Sequence, residues 1–229
     1  MAQTSKQHVG HGQSLAGGGT IVITNSGVAT VVGNELTCCV AYADDTKSVA
    51  SITDPGGNSW TLKKRTTVAG KAATEIWGAP CTGAVANGQN FTVTHSAAAA
   101  ALGTVDEFTN TLNAADSTNT ANGTGTNPSG ADTVVNTSGA VVVAVIGAVD
   151  PPADGQSVSE AGGWNTMRDV AHTLASVYIH AAYKIVTAAG SQTYAPTLSV
   201  SIGWDMSLAA FANSAPGTAG QRNTTGAGL

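Results

Sequence analysis

The sequence predicts an all-β protein built as an antiparallel β-sandwich. Short segments of apolar and β-branched residues follow one another along most of the 229 residues, several with the alternation of a half-buried strand. Clusters of Gly, Asn, Asp and Ser separate them, as in the turns between strands. The best helix candidate, an alanine run at 97–101, is too short and lacks a cap, so it does not change the fold class.

In chain order, strands are predicted first at 20–24, 35–42, 48–53, 59–66, 72–79, 89–95 and 102–109. Further strands are predicted at 133–136, 140–149, 165–170, 175–185, 192–201 and 204–211. A Gly-, Asn- and Thr-rich linker, 113–132, is predicted between these two sets. Residues 1–19 and 214–229 are polar and Gly-rich, which predicts extended N- and C-terminal arms on a β-sandwich domain of residues 20–213.

The segment "ITDPGGNSWTLK" at 52–63 has two interpretations, a phosphate-binding loop or the corner of a β-hairpin. A phosphate-binding loop needs a helix after its glycines, because the helix N-terminus supplies the N–H groups that hold the phosphate. Here Trp60 and Leu62 alternate with Thr61 and Lys63, which is the period of a strand. The pattern therefore favours the hairpin, with Asp-Pro-Gly-Gly-Asn as its turn.

The two halves, 20–112 and 133–213, resemble each other, as expected of an internal duplication. Three matched pairs lie 103 residues apart (179 less 76, 211 less 108, 213 less 110): Ile76 with Ile179, Phe108 with Phe211, and Asn110 with Asn213. The halves could form two sheets of one sandwich or two tandem sandwiches. One composite jelly-roll-like sandwich is preferred, because each half shows too few strands to cover its own core.

Composition limits the classes of partner. Charged residues are 10% of the chain, against about 25% in an average domain, so Thr, Ser, Asn, Gln and Gly must cover much of the surface. The net charge of −5 argues against nucleic acid and anionic membranes as partners. No apolar run approaches the length of a membrane span, and the first residues lack the apolar core of a signal peptide. We therefore expect synthesis in the cytoplasm without export by the usual route.

The three cysteines, Cys38, Cys39 and Cys81, do not suggest a disulfide framework. Cys38 and Cys39 are adjacent, so on a strand their side chains point to opposite faces and only one could easily reach Cys81. Buried, reduced thiols are predicted.

Side chains that could carry chemistry are scattered, and no catalytic, cofactor-binding or metal residue is assigned. His8 and His11 lie between glycines without a nearby carboxylate or thiol, and Asp44, Asp45 and Asp54 lack the spacing of a calcium loop. His95, His172 and His180 are not accompanied by a nucleophile motif. Asp106, Glu107 and Glu160 could be a glycosidase pair, but Asp106 and Glu107 are consecutive on a strand, so at least one is expected to face solvent. An enzyme is not predicted.

Two further groups have plain structural interpretations. Lys63, Lys64 and Arg65 are predicted to be a solvated strand edge that discourages aggregation. Trp77 and Trp204 lie in apolar strands and are predicted to be in the core, while Trp60 and Trp164 follow Gly-rich turns. Packing is the favoured role for all four, with a sugar-stacking surface as the alternative.

The repeat, the "SITDPGGNSWTL" segment and the arms together resemble the jelly-roll β-sandwich domains of tailed-bacteriophage structural proteins, including head decoration (cement) proteins. The resemblance covers about residues 34–213 and implies no catalytic residue and no cofactor. It implies a homotrimer on the capsid exterior, with the major capsid protein and sister subunits as partners. The alternative is a carbohydrate-binding or host-adhesion module of a phage tail or fibre, which exposed Trp60 and Trp164 would support.

Overall fold

The computed structural model describes residues 6–15, 17–69, 72–109, 111–131, 138–149, 156–160, 162–172 and 177–213. Every element of secondary structure assigned in these residues is a β-strand. None of the described residues forms a helix long and apolar enough to cross a membrane. The first half contains β1 (Lys6–Ser14), β2 (Thr20–Thr24), β3 (Glu35–Tyr42), β4 (Val49–Thr53), β5 (Thr61–Thr67), β6 (Ala73–Pro80), β7 (Asn90–His95) and β8 (Ala101–Phe108). The second contains β9 (Thr111–Gly125), β10 (Gly130–Ala131), β11 (Val141–Val149), β12 (Val158–Ser159), β13 (Asn165–His172), β14 (Val177–Ile185), β15 (Thr193–Tyr194), β16 (Thr197–Leu198) and β17 (Ile202–Asn213).

The first half is a sandwich of two antiparallel sheets. Its inner sheet has the order β1-β8-β3-β6-β5, and its outer sheet has the order β2-β7-β4. Alternate side chains of both sheets, such as Ile21, Val40 and Phe91, fill the core between them. The pairing of β1 with β8, β2 with β7 and β3 with β6 is that of a chain folded back on itself and then rolled up, which is a jelly roll.

The inner sheet of the second half repeats the topology of the first, and its outer layer differs. Its inner sheet has the order β9-β17-β11-β14-β13, equivalent to β1-β8-β3-β6-β5 of the first half. Its outer layer consists of two short pairs, β10 with β15 and β12 with β16, where the first half has β2-β7-β4. The two halves are thus two jelly rolls, in agreement with the predicted all-β sandwich and with the sequence repeat.

The two inner sheets pack face to face, and we call this contact the seam. Residues such as Cys39, Ile76, Val143 and Phe211 form a third core there. β1 and β8 approach β13 and β14, while β5 and β6 approach β9 and β17, so the halves are related by an approximate two-fold axis between β3 and β11. Every residue of β3 is buried, because each face of that strand lies against a core.

The preference for one composite sandwich was therefore wrong, because each half has two sheets of its own. Two strands were not predicted from the sequence: β9, in the predicted linker, and β1, in the predicted N-terminal arm. The predicted linker, 113–132, contains most of β9, which pairs with β17 along the edge of its sheet. Its inward residues are small: Ala121 packs on the second core, and Gly123 lies under Trp204, where a Cβ would come within 2.8 Å of the indole. Inward- and outward-facing residues do alternate along β9, but the inward ones are too small to give the pattern of large apolar residues that indicates a strand.

The N-terminal arm was also predicted too long, since residues 6–14 form β1 and pair with β8. Gly10 and Gly12, which suggested flexibility, are packing positions. A Cβ on Gly10 would lie 2.2 Å from the Thr24 carbonyl oxygen, and one on Gly12 would lie 2.2 Å from the Val22 carbonyl oxygen. The glycines let β1 approach the backbone of β2 and close this edge of the sandwich. The predicted C-terminal arm and the strand at 133–136 lie outside the described residues.

The segment after β4 is not a hairpin corner, because β4 and β5 belong to different sheets. It crosses from the outer to the inner sheet, and a strand follows its glycines, as predicted. Asp54 accepts hydrogen bonds from the Asn58 amide and from the Trp60 indole, each at 2.9 Å. Asn58 Oδ1 in turn accepts hydrogen bonds from the backbone N–H groups of Thr82 and Gly83. The "DPGGNSW" residues thus fix a crossing between sheets.

Candidate functional site

Three exposed valines form an apolar patch in the connection between β2 and β3. Val28, Val31 and Val32 are 69%, 56% and 60% exposed, respectively. Together with Gln7, Asn34 and Glu107 we call them the end surface. A cavity of about 190 Å³ is lined by Gln7, Val28, Val31, Asn34 and Glu107 of this surface and by Thr109. Apolar side chains clustered in a loop mark candidate contact surfaces, because they gain from removal from water by a partner.

The end surface is held in place by buried polar groups. Glu107, at the end of β8, accepts hydrogen bonds from the Val31 N–H (2.6 Å), the Asn34 amide (2.8 Å) and the Gln7 amide (2.8 Å). The Asn25 amide donates to the carbonyl oxygens of Val28 and Val85. The loop therefore presents its valines from a braced backbone.

Both ends of the described chain lie beside the end surface. β1 begins at Lys6, opposite Phe108, and β17 ends at Asn213, opposite Thr111. Residues 1–5 and 214–229 are attached at these two points.

A groove, which we call the seam groove, opens at one edge of the seam. It has a volume of about 370 Å³ and is lined by His11, Gly12 and Gln13 of β1, Val22 of β2, Leu102 and Gly103 of β8, and Arg168, Val170 and Ile179 of the second half. His11 and Gln13 lie on β1, and Arg168 on β13, so the two jelly rolls each supply polar groups. The opposite edge is closed by hydroxyl groups, since Thr66 and Thr74 both hydrogen-bond to Ser207 Oγ.

His8 and His11 are the first predicted candidates that the structure describes. His8 Nδ1 lies 3.1 Å from Asp106 Oδ1, and the two imidazole rings stack with their centroids 5.8 Å apart. Thr104 Oγ1 donates to the other oxygen of Asp106 at 3.1 Å. Both histidines therefore belong to a strand at the seam. In the described residues, no group of three or more His, Cys, Asp or Glu side chains is placed to hold a metal ion.

A second ionisable cluster lies inside the second jelly roll. His180, on β14, is fully buried: Nε2 lies 2.7 Å from Glu160 Oε1 and Nδ1 lies 3.6 Å from Asp169 Oδ1. Tyr178 donates to Asp169 at 2.6 Å, and Tyr194 to Glu160 at 3.3 Å. Burial alone would lower the pKa of His180, but the hydrogen bonds and charges of Asp169 and Glu160 outweigh it and raise the pKa. The cluster ties β13 and β14 to the outer layer, and its ring has no exposed surface for a ligand.

The first jelly roll has a different group at the equivalent place. Glu75, on β6, lies 3.4 Å from Arg65 Nε and accepts a 2.7 Å hydrogen bond from the Trp77 indole. Burial raises the pKa of Glu75, although the hydrogen bonds from Trp77 and Val49 and the charge of Arg65 oppose it. Both jelly rolls thus carry a buried ionisable group on the strand beside the centre of their inner sheet, an acid on β6 and a histidine on β14.

The remaining acidic candidates do not converge. Asp106 and Glu107 point to opposite faces as predicted, but both are buried, which corrects the expectation that one faces solvent. The loop before β3 covers Glu107, and β1 covers Asp106. Glu160 lies against His180 in the other jelly roll. Asp44 accepts hydrogen bonds from the N–H and hydroxyl of Thr46, as expected of a turn acid.

The remaining candidates from the sequence are two histidines and the three basic residues of β5. His95 Nδ1 lies 2.9 Å from the Tyr42 hydroxyl, and His172 ends β13, where its side chain is outside the described residues. Lys63, Lys64 and Arg65 lie on the edge strand β5 as predicted, but all three are half-buried. Arg65 donates hydrogen bonds to the carbonyl oxygens of Asp45 and Lys47.

The four tryptophans pack against other residues, which is the role that the sequence favoured for them. Trp204 is buried and Trp77 is half-buried against the first core. Trp164 is 6% exposed and donates to the Thr193 carbonyl oxygen, and half-buried Trp60 contacts Phe91 edge-on. Cys38, Cys39 and Cys81 are buried thiols that form no disulfide with one another, and Cys38 and Cys39 face different cores, which confirms that prediction.

No protein-family model and no curated protein matches this chain. The function must therefore be argued from the surfaces described above. The end surface was not predicted from the sequence, although its signal was present: "GVATVVGN" carries three valines outside any alternating segment. Arg168 and Glu35 were not predicted either, because their surroundings arise from the contact between distant halves.

Proposed function

We propose that this protein is a virion structural protein of a bacteriophage that decorates and cements the outer surface of the capsid. The end surface is the observation that carries the proposal. Its three exposed valines lie beside the two points where residues 1–5 and 214–229 are attached. A rigid body with an apolar contact and two attached segments at one end suits a protein that holds neighbouring subunits together.

Burial of the valines supplies the attraction. Fully burying a valine contributes about 1.5 kcal/mol or more, so three valines contribute several kcal/mol before the cost of association. The hydrogen bonds of Glu107 and Asn25 lower that cost, because the loop does not have to become ordered on binding. The proposed partners are the major capsid protein and sister subunits, as a homotrimer on the capsid exterior after synthesis in the host cytoplasm. The net charge of −5 does not favour nucleic acid or membranes.

Binding to purified heads of the phage that encodes the protein, stripped of this protein, tests the proposal. The variant Val28→Ser/Val31→Ser/Val32→Ser should bind at least about tenfold more weakly, since three apolar contacts are lost. Val200→Ser, a change at another exposed valine, is the matched control and should bind like the wild type. Thermal unfolding of both variants checks that the sandwich is intact. Full occupancy by the triple variant, or absence of wild-type binding to the heads, would contradict the proposal.

The segments outside the described residues can be tested separately. Removal of residues 1–5 and 214–229 should weaken head binding without unfolding the protein, because β1 and β17 remain. Removal of 1–19 would be unsuitable, since it deletes β1. Unchanged occupancy after the short deletions would show that the segments do not contribute.

The alternative, a carbohydrate-binding or host-adhesion module, depends on aromatic rings exposed for stacking. Trp164 is buried, and half-buried Trp60 packs on Phe91 and hydrogen-bonds to Asp54, so the two rings do not form the exposed aromatic surface that the alternative requires. A glycan array distinguishes the two, because a cement protein binds heads and leaves glycans unbound.

A further inference from the structure

We propose that the seam groove binds a small carboxylate with an apolar body, held by Arg168 together with His11 and Gln13. The proposal is independent of the capsid contact, because the groove lies at the edge of the seam and shares no lining residue with the end surface.

The polar side of the groove has hydrogen-bond donors to spare. No hydrogen bond or salt bridge joins the Arg168 guanidinium to another residue in the described part of the chain. A guanidinium carries five N–H donors in a planar fork that matches the two oxygens of a carboxylate. His11 and Gln13 line the same groove from β1 and can add one donor each.

The surroundings of Arg168 favour a negative ligand. Loss of solvent around the His11 ring, followed by the positive charges of Arg168 and His8, lowers the pKa of His11. Asp106, a carboxylate on this side of the seam, is fully buried and is bound by His8 and Thr104. Asp169 follows Arg168 but faces the second core, where it accepts the Tyr178 hydroxyl. Among the residues that line the groove, Arg168 therefore supplies the positive charge, and none of them is a carboxylate.

The other wall selects the body of the ligand. Val22, which is half exposed, and Val170, which is partly exposed, supply apolar surface, and the almost fully buried Leu102 and Ile179 also line the groove. The backbone approaches at Gly12 and Gly103, where the absence of side chains leaves room. A volume of about 370 Å³ falls in the range of small-molecule sites, which combine apolar walls with a few polar groups that set orientation. A short aliphatic or aromatic carboxylate matches this division.

Hexanoate is the probe, and the His11 ring signals in an NMR titration of the full chain are the readout. Saturable shifts are expected at His11, and the pKa of His11 should rise in the complex because a negative charge then lies beside it. Arg168→Gln should weaken hexanoate binding about tenfold or more, since a charge-assisted hydrogen bond pair is lost. Lys184→Gln removes the same charge elsewhere on the second inner sheet and should leave affinity unchanged.

Three results would overturn the proposal. One is the absence of a saturable shift at His11 in the wild type. Another is equal weakening by Arg168→Gln and Lys184→Gln, which would show that only net charge matters. The third is binding of inorganic phosphate as tight as that of hexanoate, because it would remove the role of the apolar wall. Thermal unfolding without ligand checks that both variants fold.

Discussion

Glu35, the first residue of β3, provides the sharpest test of the seam. Its side chain is fully buried between the inner sheets, and neither carboxylate oxygen has a hydrogen-bond partner in the described residues. A Cβ added at Gly78 would lie within 3 Å of Glu35 Oε1, of Lys63 and of Phe211, which shows how closely the site is packed. Burial raises the pKa of Glu35 from its ordinary value of 4.5 to about 8, and the positive charge of Lys63 only partly offsets it.

The sign of the effect follows from this direction. The folded pKa is above the unfolded value, so the contribution of Glu35 to stability is fully present below pH 4.5 and is lost as the pH rises through about 8. At pH 7 the solution lies about 2.5 pH units above the ordinary pKa. At about 1.4 kcal/mol for each unit, keeping the carboxyl neutral costs about 3 kcal/mol there.

Glu35→Gln removes that cost. We expect the variant to be as stable as the wild type near pH 4.5 and more stable by up to about 3 kcal/mol at pH 7, less whatever Lys63 loses without its neighbour. Urea unfolding at half-unit steps from pH 4.5 to 8 measures the difference. A variant less stable than the wild type at pH 7, or a difference in stability that does not change with pH, would refute the burial of an unpaired carboxyl at Glu35.

Glu107→Gln is the matched control, because it makes the same change at a buried carboxylate that has partners. Three hydrogen bonds to Glu107 would be weakened or broken, including that from the Val31 N–H. A loss of about 1 to 3 kcal/mol is expected, opposite in sign to that of Glu35→Gln. Equal effects of the two changes would show that the pairing of the carboxylate does not decide the outcome.

Two other predictions concern the close approach of β1 to β2 and the buried histidine of the second jelly roll. Gly12→Ala should destabilise the protein by about 1 to 3 kcal/mol in urea unfolding, because the added Cβ would lie 2.2 Å from the Val22 carbonyl oxygen. Gly19→Ala is the control: its added Cβ would meet nothing within 4 Å, so stability should change by less than about 0.5 kcal/mol. Equal effects of the two changes would contradict the close approach of β1 and β2. Asp169→Asn should lower the pKa of His180 measured by NMR, because a hydrogen bond and a negative charge that raise it are removed. Since that pKa is raised in the folded state, the stability from the pair is present below pH 6.5 and is lost as the pH rises through the folded value, so the variant should differ from the wild type more at pH 6 than at pH 9. An unchanged His180 pKa would contradict the assignment.

The fold class could be predicted from the sequence because most strands mark themselves with large alternating residues. β2 and β3 occur at the predicted bounds, and the matched positions Phe108 and Phe211 do occupy equivalent strands. β1 and β9 were missed because glycine and alanine face inward there, a pattern that composition interprets as flexible. The near-continuous apolar sequences of β3 and β11 could have indicated strands covered on both faces, and hence stacked sandwiches.

The candidate sites were less predictable, for a physical reason. Val28, Val31 and Val32 are local in sequence and could have been recognised, but their bracing depends on Glu107. Arg168 and His11 lie in different halves and become neighbours only through the seam. Likewise, nothing adjacent to Glu35 in the sequence indicates that a second sheet removes it from water.

The covalent link between the jelly rolls has a consequence for stoichiometry. Two identical subunits joined through a two-fold axis would carry any interfacial pocket in duplicate, and would lose both when diluted below their dissociation constant. A single chain keeps the two jelly rolls together at every concentration and allows the two edges of the seam to differ in sequence. Here one edge is closed by Thr66, Thr74 and Ser207, and the other is open beside Arg168. The seam groove therefore opens at one edge only of the seam in the described residues, and hexanoate bound there should saturate at a ratio of one to one.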